Sequence, residues 1–193
     1  MIESACKAPS GHNTQPWLFK IGASEIDIYP DFSKELPIVD PSHRELFVSL
    51  GCATENLCIA AHEKGYHTEV KVIENSFIRV LLTEGKEKLP DSLLFPQIAV
   101  RQTNKRVYNG EAIPESTINI LKMVPIESSV SIHFYRNGTV DYDTIAGWVY
   151  AGNRLQMNDE AFKTELTDWM RYNKKQQDKN IVIRRVEVLK PLV

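Results

Sequence analysis

The stretch Ser42-His-Arg-Glu-Leu-Phe-Val-Ser-Leu-Gly-Cys-Ala-Thr-Glu-Asn-Leu-Cys-Ile-Ala-Ala-His-Glu-Lys-Gly65 decides how the rest of the chain has to be arranged. Leu46, Leu50, Ala53, Leu57 and Ala60 recur at three- and four-residue intervals and form one apolar stripe. Phe47, Gly51, Thr54, Cys58 and Ala61 form a second stripe beside it. That period predicts a helix over His43–Lys64, with Ser42 as N-cap, Glu45 completing a capping box and Gly65 closing the C-terminus. A helix apolar over so wide an arc must be covered on more than one side, and its small residues permit close backbone approach. It is expected at the centre of the fold or at an interface.

The neighbouring segments supply the cover. Upstream, Trp17–Ile21 and Glu25–Tyr29 suit short strands, the second alternating Ile26 and Ile28 with polar residues. Downstream, Glu69–Ile73 and Phe77–Thr83 predict a hairpin through Glu74, Asn75 and Ser76, lying behind the helix. Residues 1–8 suit the end of a helix stopped by Pro9, Ser10 and Gly11. Beyond Pro90, helices are expected from about Asp91 to Gln102, from Pro114 to Met123, and over Asp141–Gln156 and Asp159–Tyr172, with a strand at Val130–Tyr135. Trp148, Tyr150 and Trp169 fall at helical spacings that suit core positions. The run Asn173–Asn180 contains no apolar residue, and Ile181–Leu189 reads as an isolated strand. Together these elements define an α+β fold, an antiparallel sheet packed by helices around one long central helix.

At 193 residues with 42% apolar content, the chain is long enough to bury a real core. Its net charge of −2 is far from the basic footprint of a protein that neutralises phosphate backbones, so nucleic acid is an unsuitable partner. No window approaches the roughly 20 apolar residues that span a bilayer, and no charged-then-apolar leader opens the chain. No membrane partner is expected, and the expected location is cytoplasmic. Cys6, Cys52 and Cys58 are odd in number and form no C-x-x-C pair, and no two histidines have metal-pair spacing, so neither a disulfide framework nor a metal site is expected.

The densest chemical signal is Ala8-Pro-Ser-Gly-His-Asn-Thr-Gln-Pro-Trp17. Turn-forming polar residues stand directly before a strand, so backbone amides and the Asn13 and Gln15 side chains can converge on one polar, planar ligand. His12 lies within the same loop, in reach of such a ligand. The string resembles the P-S-x-x-N-x-Q-P-W segment of the nitroreductase family, matched at Pro9, Ser10, Asn13, Gln15, Pro16 and Trp17. In that family the segment lies against the isoalloxazine ring of FMN across a dimer interface, which the resemblance implies for Pro9, Ser10, Gly11 and Asn13.

A second segment, Arg101-Gln-Thr-Asn-Lys105, resembles the R-x-S-x-K/R element of classical nitroreductases, with Thr103 in place of Ser. The residue types suit the implied cofactor. Arg101 can fork onto the FMN phosphate, and Thr103 can add a neutral hydrogen bond. An ammonium at Lys105 would stabilise the negative charge that reduced flavin gathers around N1 and the C2 carbonyl. A third segment, Asp40-Pro-Ser-His-Arg-Glu-Leu46 followed by Gly51-Cys-Ala-Thr-Glu-Asn-Leu-Cys-Ile-Ala-Ala61, resembles the D-P-x-x-R-E and G-A-x-x-N-L-x-x-A-A pattern of the family's two-lobed, Acg-like branch.

The order of the motifs agrees with that branch. In classical members the basic element precedes the P-S-x-x-N loop, whereas here it follows. In a chain that fuses two lobes, the loop of the first faces the basic element of the second, so the resemblance implies either an intramolecular pseudo-dimer or a homodimer in which another chain completes the second lobe. The resemblance then implies a first lobe at residues 1–90 and the opening of a truncated second lobe at 91–172, with 173–193 unassigned. It also implies an FMN-dependent oxidoreductase that passes a hydride from NAD(P)H through flavin to a small planar acceptor such as a nitroaromatic or quinone. No catalytic side chain is required, because the cofactor carries the reaction. The alternative is a flavin-binding or sequestering protein without turnover.

Overall fold

Residue patterns alone place one face of β1 (Trp17–Ile21) and β2 (Glu25–Pro30) inward, and the computed structural model shows Trp17, Phe19, Ile26 and Ile28 buried on that face. It describes residues 1–74, 76–85, 93–104, 106–126 and 128–171, and the backbone of 186–188. The chain divides into two units, Met1–Arg101 with Asp159–Val193, and Gln102–Asn158.

In the first unit a short helix α1 (Ile2–Ala5) leads through the 9–16 loop into β1 and β2. The long helix α2 (Arg44–Glu63) follows, then the hairpin β3 (Tyr66–Ile73) and β4 (Phe77–Glu84), and helix α3 (Phe95–Val100). The sheet order is β3-β4-β2-β1, antiparallel throughout these four strands, and a fifth strand, β5 (Val186–Val188), joins the free edge of β1 in parallel. The expected α+β class with a long central helix is the one found. Helix α2 lies across one face of the sheet, touching β2, β3 and β4, while α1 and α3 pack on its other sides. Leu50, Ala53 and Leu57 are fully buried against Ile28 and Val80. Each of these larger side chains contributes about 2 kcal/mol by leaving water.

The ends of α2 differ in part from expectation. Gly65 does close the helix, with φ +80, and its N–H donates to the His62 carbonyl at 3.1 Å. At the N-terminus, however, Ser42 is not the cap. His43 occupies that position in left-handed backbone at φ 58, and the carboxylate of Asp40 accepts the Leu46 N–H at 2.8 Å. A carboxylate can reach the third amide of the helix from six residues back because the chain folds through a turn, in which the His43 N–H donates to the Asp40 carbonyl. Of the second stripe, Thr54, Cys58 and Ala61 are buried, but Phe47 and Gly51 are exposed. The helix is covered over a narrower arc at its start than at its end.

On the opposite face of the sheet Asp27 is buried at 3% exposure, because Arg79, its register partner on β4, forks onto it with Nε at 2.7 Å and Nη2 at 2.8 Å. The same guanidinium lies 5.2 Å over the Phe77 ring, which stacks on Tyr29. The paired carboxylate holds the Arg79 proton more firmly than water would.

Helix α6 (Glu160–Trp169) also belongs to the first unit. Asp159 caps it, accepting the Ala161 and Phe162 amides at 2.8 and 3.3 Å. The Glu165 carboxylate in turn accepts the Ile38 and Val39 N–H groups, each at 3.0 Å, and so ties the helix to the Pro-rich segment before α2. Two expectations are corrected here. Helix α3 is shorter than 91–102 at its C-terminal end because Arg101 leaves helical backbone at ψ 130; residues 91–92 lie outside those described. Val186–Val188 is not isolated but completes the edge of β1. Asn75 and the polar run 173–180 lie outside the described residues.

The second unit carries helices α4 (Glu115–Lys122) and α5 (Val140–Asn158). None of its described residues is buried. Trp148 and Tyr150, at 77% and 65% exposure, are therefore surface residues rather than core. Val130–Tyr135 forms no strand. Alternation fixes only where side chains point, and a strand also needs a partner for its backbone groups, which no described segment supplies.

Candidate functional site

Between α1 and β1 the chain makes a turn that most side chains would not choose. His12, Asn13 and Gln15 all have left-handed backbone, at φ 46, 56 and 54. Asn and His visit this region more readily than other non-glycine residues, yet each such residue costs on the order of 1 kcal/mol. Three within four positions persist only because the surroundings hold them.

The holding contacts are visible. The Ser10 hydroxyl accepts the Gln15 N–H at 2.9 Å, while the Asn13 and Thr14 amides donate to the Ser10 and Gly11 carbonyls. The Gly11 N–H donates to Ser49 Oγ on α2 at 3.4 Å, and Lys34 Nζ donates to the Gln15 carbonyl at 2.7 Å. A Cβ at Gly11 would meet Glu45 Oε1 at 2.8 Å and Leu36 Cδ1 at 3.1 Å, so a larger residue here would make those two side chains shift. Helix α6 reaches the same turn from another side.

Within this frame the expected site residues take distinct positions. Pro9 and Asn13 are exposed, and the Asn13 side chain has no partner among the described residues. The Gln15 side chain instead turns inward and donates to the Cys6 carbonyl at 3.4 Å. Arg101, at the end of α3, donates from Nη2 to the Lys7 carbonyl at 3.3 Å, two residues before Pro9. The structure thus brings Arg101 against the loop. Thr103 is exposed in the second unit, and Lys105 lies outside the described residues.

Lys34 and Ser49 are loop-supporting residues that the sequence pattern does not mark. Ser49 carries a faint signal, a hydroxyl between apolar neighbours on α2, but Lys34 carries none. Among the described residues, His12 Nε2 is buried without a hydrogen-bond partner. Beneath the loop, burial pushes the Cys6 thiol above its usual value, opposed by a hydrogen bond from Trp17.

A separate open groove of about 530 Å3 runs between Pro37–Ile38 and α6. Its carboxylates at Glu35, Glu160, Glu165 and Asp168 would repel a phosphate. Among the described residues no cluster of three potential metal ligands occurs, and no helix is long and apolar enough to cross a membrane.

Two Mycobacterium tuberculosis proteins, from strains CDC 1551 and H37Rv, align with this chain at 26% identity over 174 residues. Both carry the name "Putative NAD(P)H nitroreductase". The chain is similar to named nitroreductases. The alignment covers 88% of this chain but 49% of each relative, so the chain spans about half the length of the curated proteins it matches. No family model matches it.

The residue types at the loop suit a polar, anionic ligand: Asn13 offers an exposed amide, and the Arg101 guanidinium has donors left after its contact to Lys7.

Proposed function

We propose that this chain is the cofactor-binding part of an FMN-dependent oxidoreductase that takes hydride from NAD(P)H and reduces a small planar acceptor such as a nitroaromatic or quinone. Residues 1–90 form the first of two nitroreductase-like lobes, and 91–172 open the second, as in the Acg-like branch. Bound FMN supplies the hydride-accepting and hydride-donating chemistry.

The chain's own groups do the positioning. Pro9, Ser10, Gly11 and Asn13 present a rigid edge to the ring, and the stiffness of the left-handed turn keeps that edge in place between turnovers. Gln15 acts one step back, holding the loop against α1 through Cys6. Arg101 and Thr103 bind the phosphate, and Lys105 places positive charge near the pyrimidine end of the ring. The single observation that supports this reading is the hydrogen bond from Arg101 to Lys7, because it sets the expected phosphate donor beside the expected ring-binding loop.

Equilibrium dialysis of the purified protein against FMN, followed by anaerobic addition of NADH or NADPH, tests it. Bound flavin that bleaches with either nicotinamide supports the oxidoreductase. Flavin that binds but ignores both supports a sequestering protein, and absence of binding overturns the proposal.

A further inference from the structure

We infer that this chain associates with a second copy of itself through the free edge of β3, the two strands running antiparallel about a two-fold axis at Val70. The inference does not rest on the flavin reading, because β4 and β2 separate β3 from β1, the strand that follows the candidate loop.

Three observations lead to it. First, β3 ends the sheet: among the described residues its strand partner is β4, and every residue from Glu69 to Ile73 is exposed. Its eight residues pair with β4 in unbroken register, without a bulge, and contain no proline, so the devices that usually blunt an open edge are missing. Second, the charges on the strand are complementary to their own reversal. With Val70 opposite Val70 of the second copy, Glu69 stands opposite the partner's Lys71, and Lys71 opposite the partner's Glu69. Sliding the strands by two residues sets Lys71 against Lys71 or Glu69 against Glu69, so charge selects this register. Within one chain the two groups already meet at 3.2 Å, and the pair of copies makes a cluster of four charges alternating in sign. Third, Val70 shares a face with Val80, its buried partner on β4, yet Val70 is 47% and Val72 76% exposed. Helix α2 packs on that face but leaves both in water. The two-fold register gathers the Val70 side chains at the axis and sets Val72 opposite Thr68, removing an apolar edge from water.

One strand edge is a small contact, so the dimer belongs to the weak class and should dissociate in the micromolar range. Analytical ultracentrifugation of the full chain across that range tests it, for the wild type, Glu69→Lys, Lys71→Glu and an equimolar mixture of the two variants. Both side chains are well exposed, at 66% and 49%, so neither substitution disturbs the core. The wild type should show a monomer–dimer equilibrium. Either single variant sets like charges opposite each other in both cross-strand pairs and should weaken the dimer about tenfold. The mixture should recover it, because one copy then presents two lysines to two glutamates of the other.

Mild oxidation followed by non-reducing electrophoresis reads the register itself. Val70→Cys should form a linked dimer that the wild type, with its three native cysteines, does not form. Val72→Cys should not, because two residues at that position lie about 14 Å apart along the paired strands. A wild type that stays monomeric across the micromolar range overturns the inference, as does a mixture no tighter than its components. A dimer that both single variants leave intact also overturns it, since such a dimer uses another surface, including one that would complete the second lobe. Flavin binding, measured separately, stands or falls on its own.

Discussion

Asp40 illustrates how a single residue organises this chain. Its carboxylate accepts the Leu46 N–H at 2.8 Å, and Asp40 itself is 6% exposed, so it satisfies an otherwise orphaned helix amide in a dry place. Asp40→Ala should cost about 1–2 kcal/mol in urea unfolding, whereas Ser42→Ala should cost almost nothing, since Ser42 is exposed and not the cap. At the other end Gly65 takes φ +80, which an alanine there adopts at a cost of about 1 kcal/mol, so Gly65→Ala should lower stability by that amount in the same assay. Cys6 is a titration case. Burial raises its thiol above the ordinary value of 9.0, so the folded protein holds the proton more tightly than the unfolded chain does. Its contribution to stability is therefore full below the unfolded value and is lost as pH rises through the folded one. Alkylation by iodoacetamide at pH 8 should be slower at Cys6 in the folded protein than after unfolding in urea.

At the scale of elements, the sheet and α2 make one layered unit whose shared core is Leu50, Leu57, Ile28 and Val80. Leu50→Ala, at a position with no exposure, should destabilise by about 3 kcal/mol, while Phe47→Ala on the same helix should change stability by less than about 1 kcal/mol, because Phe47 is 43% exposed. Equal effects in chemical denaturation would contradict the burial pattern. The attachment of α6 rests on fewer groups. Glu165 alone satisfies the Ile38 and Val39 amides, so Glu165→Ala should speed hydrogen exchange at those two positions while leaving β2 protected. The loop between α1 and β1 is an element of another kind, irregular but braced by Ser10, Lys34 and Ser49, and its shape depends on neighbours that are distant in sequence.

On the scale of the whole molecule the two units differ in what sustains them. The first has a buried cluster, and the described residues of the second have none, so amides in α5 should exchange with solvent well before those in α2. Protection in α5 matching that of α2 would count against this difference. Much of the first unit was legible in the chain: β1, the β3–β4 hairpin and α2 follow from periods of two and of 3.6, since such periods report which face each element buries. The turn-forming residues from Pro9 to Pro16 likewise mark a loop directly before a strand. What the string could not express was the register of Arg79 against Asp27, the exchange of Ser42 for Asp40 as cap, the parallel docking of Val186–Val188 and the bracing of the loop by Lys34 and Ser49. Each is a contact between residues brought together by the path of the chain, and local pattern holds no record of that path. The left-handed turn at His12 and the unpartnered nitrogen it buries belong to the same class, because strain and orphaned polar groups exist only relative to the packing around them.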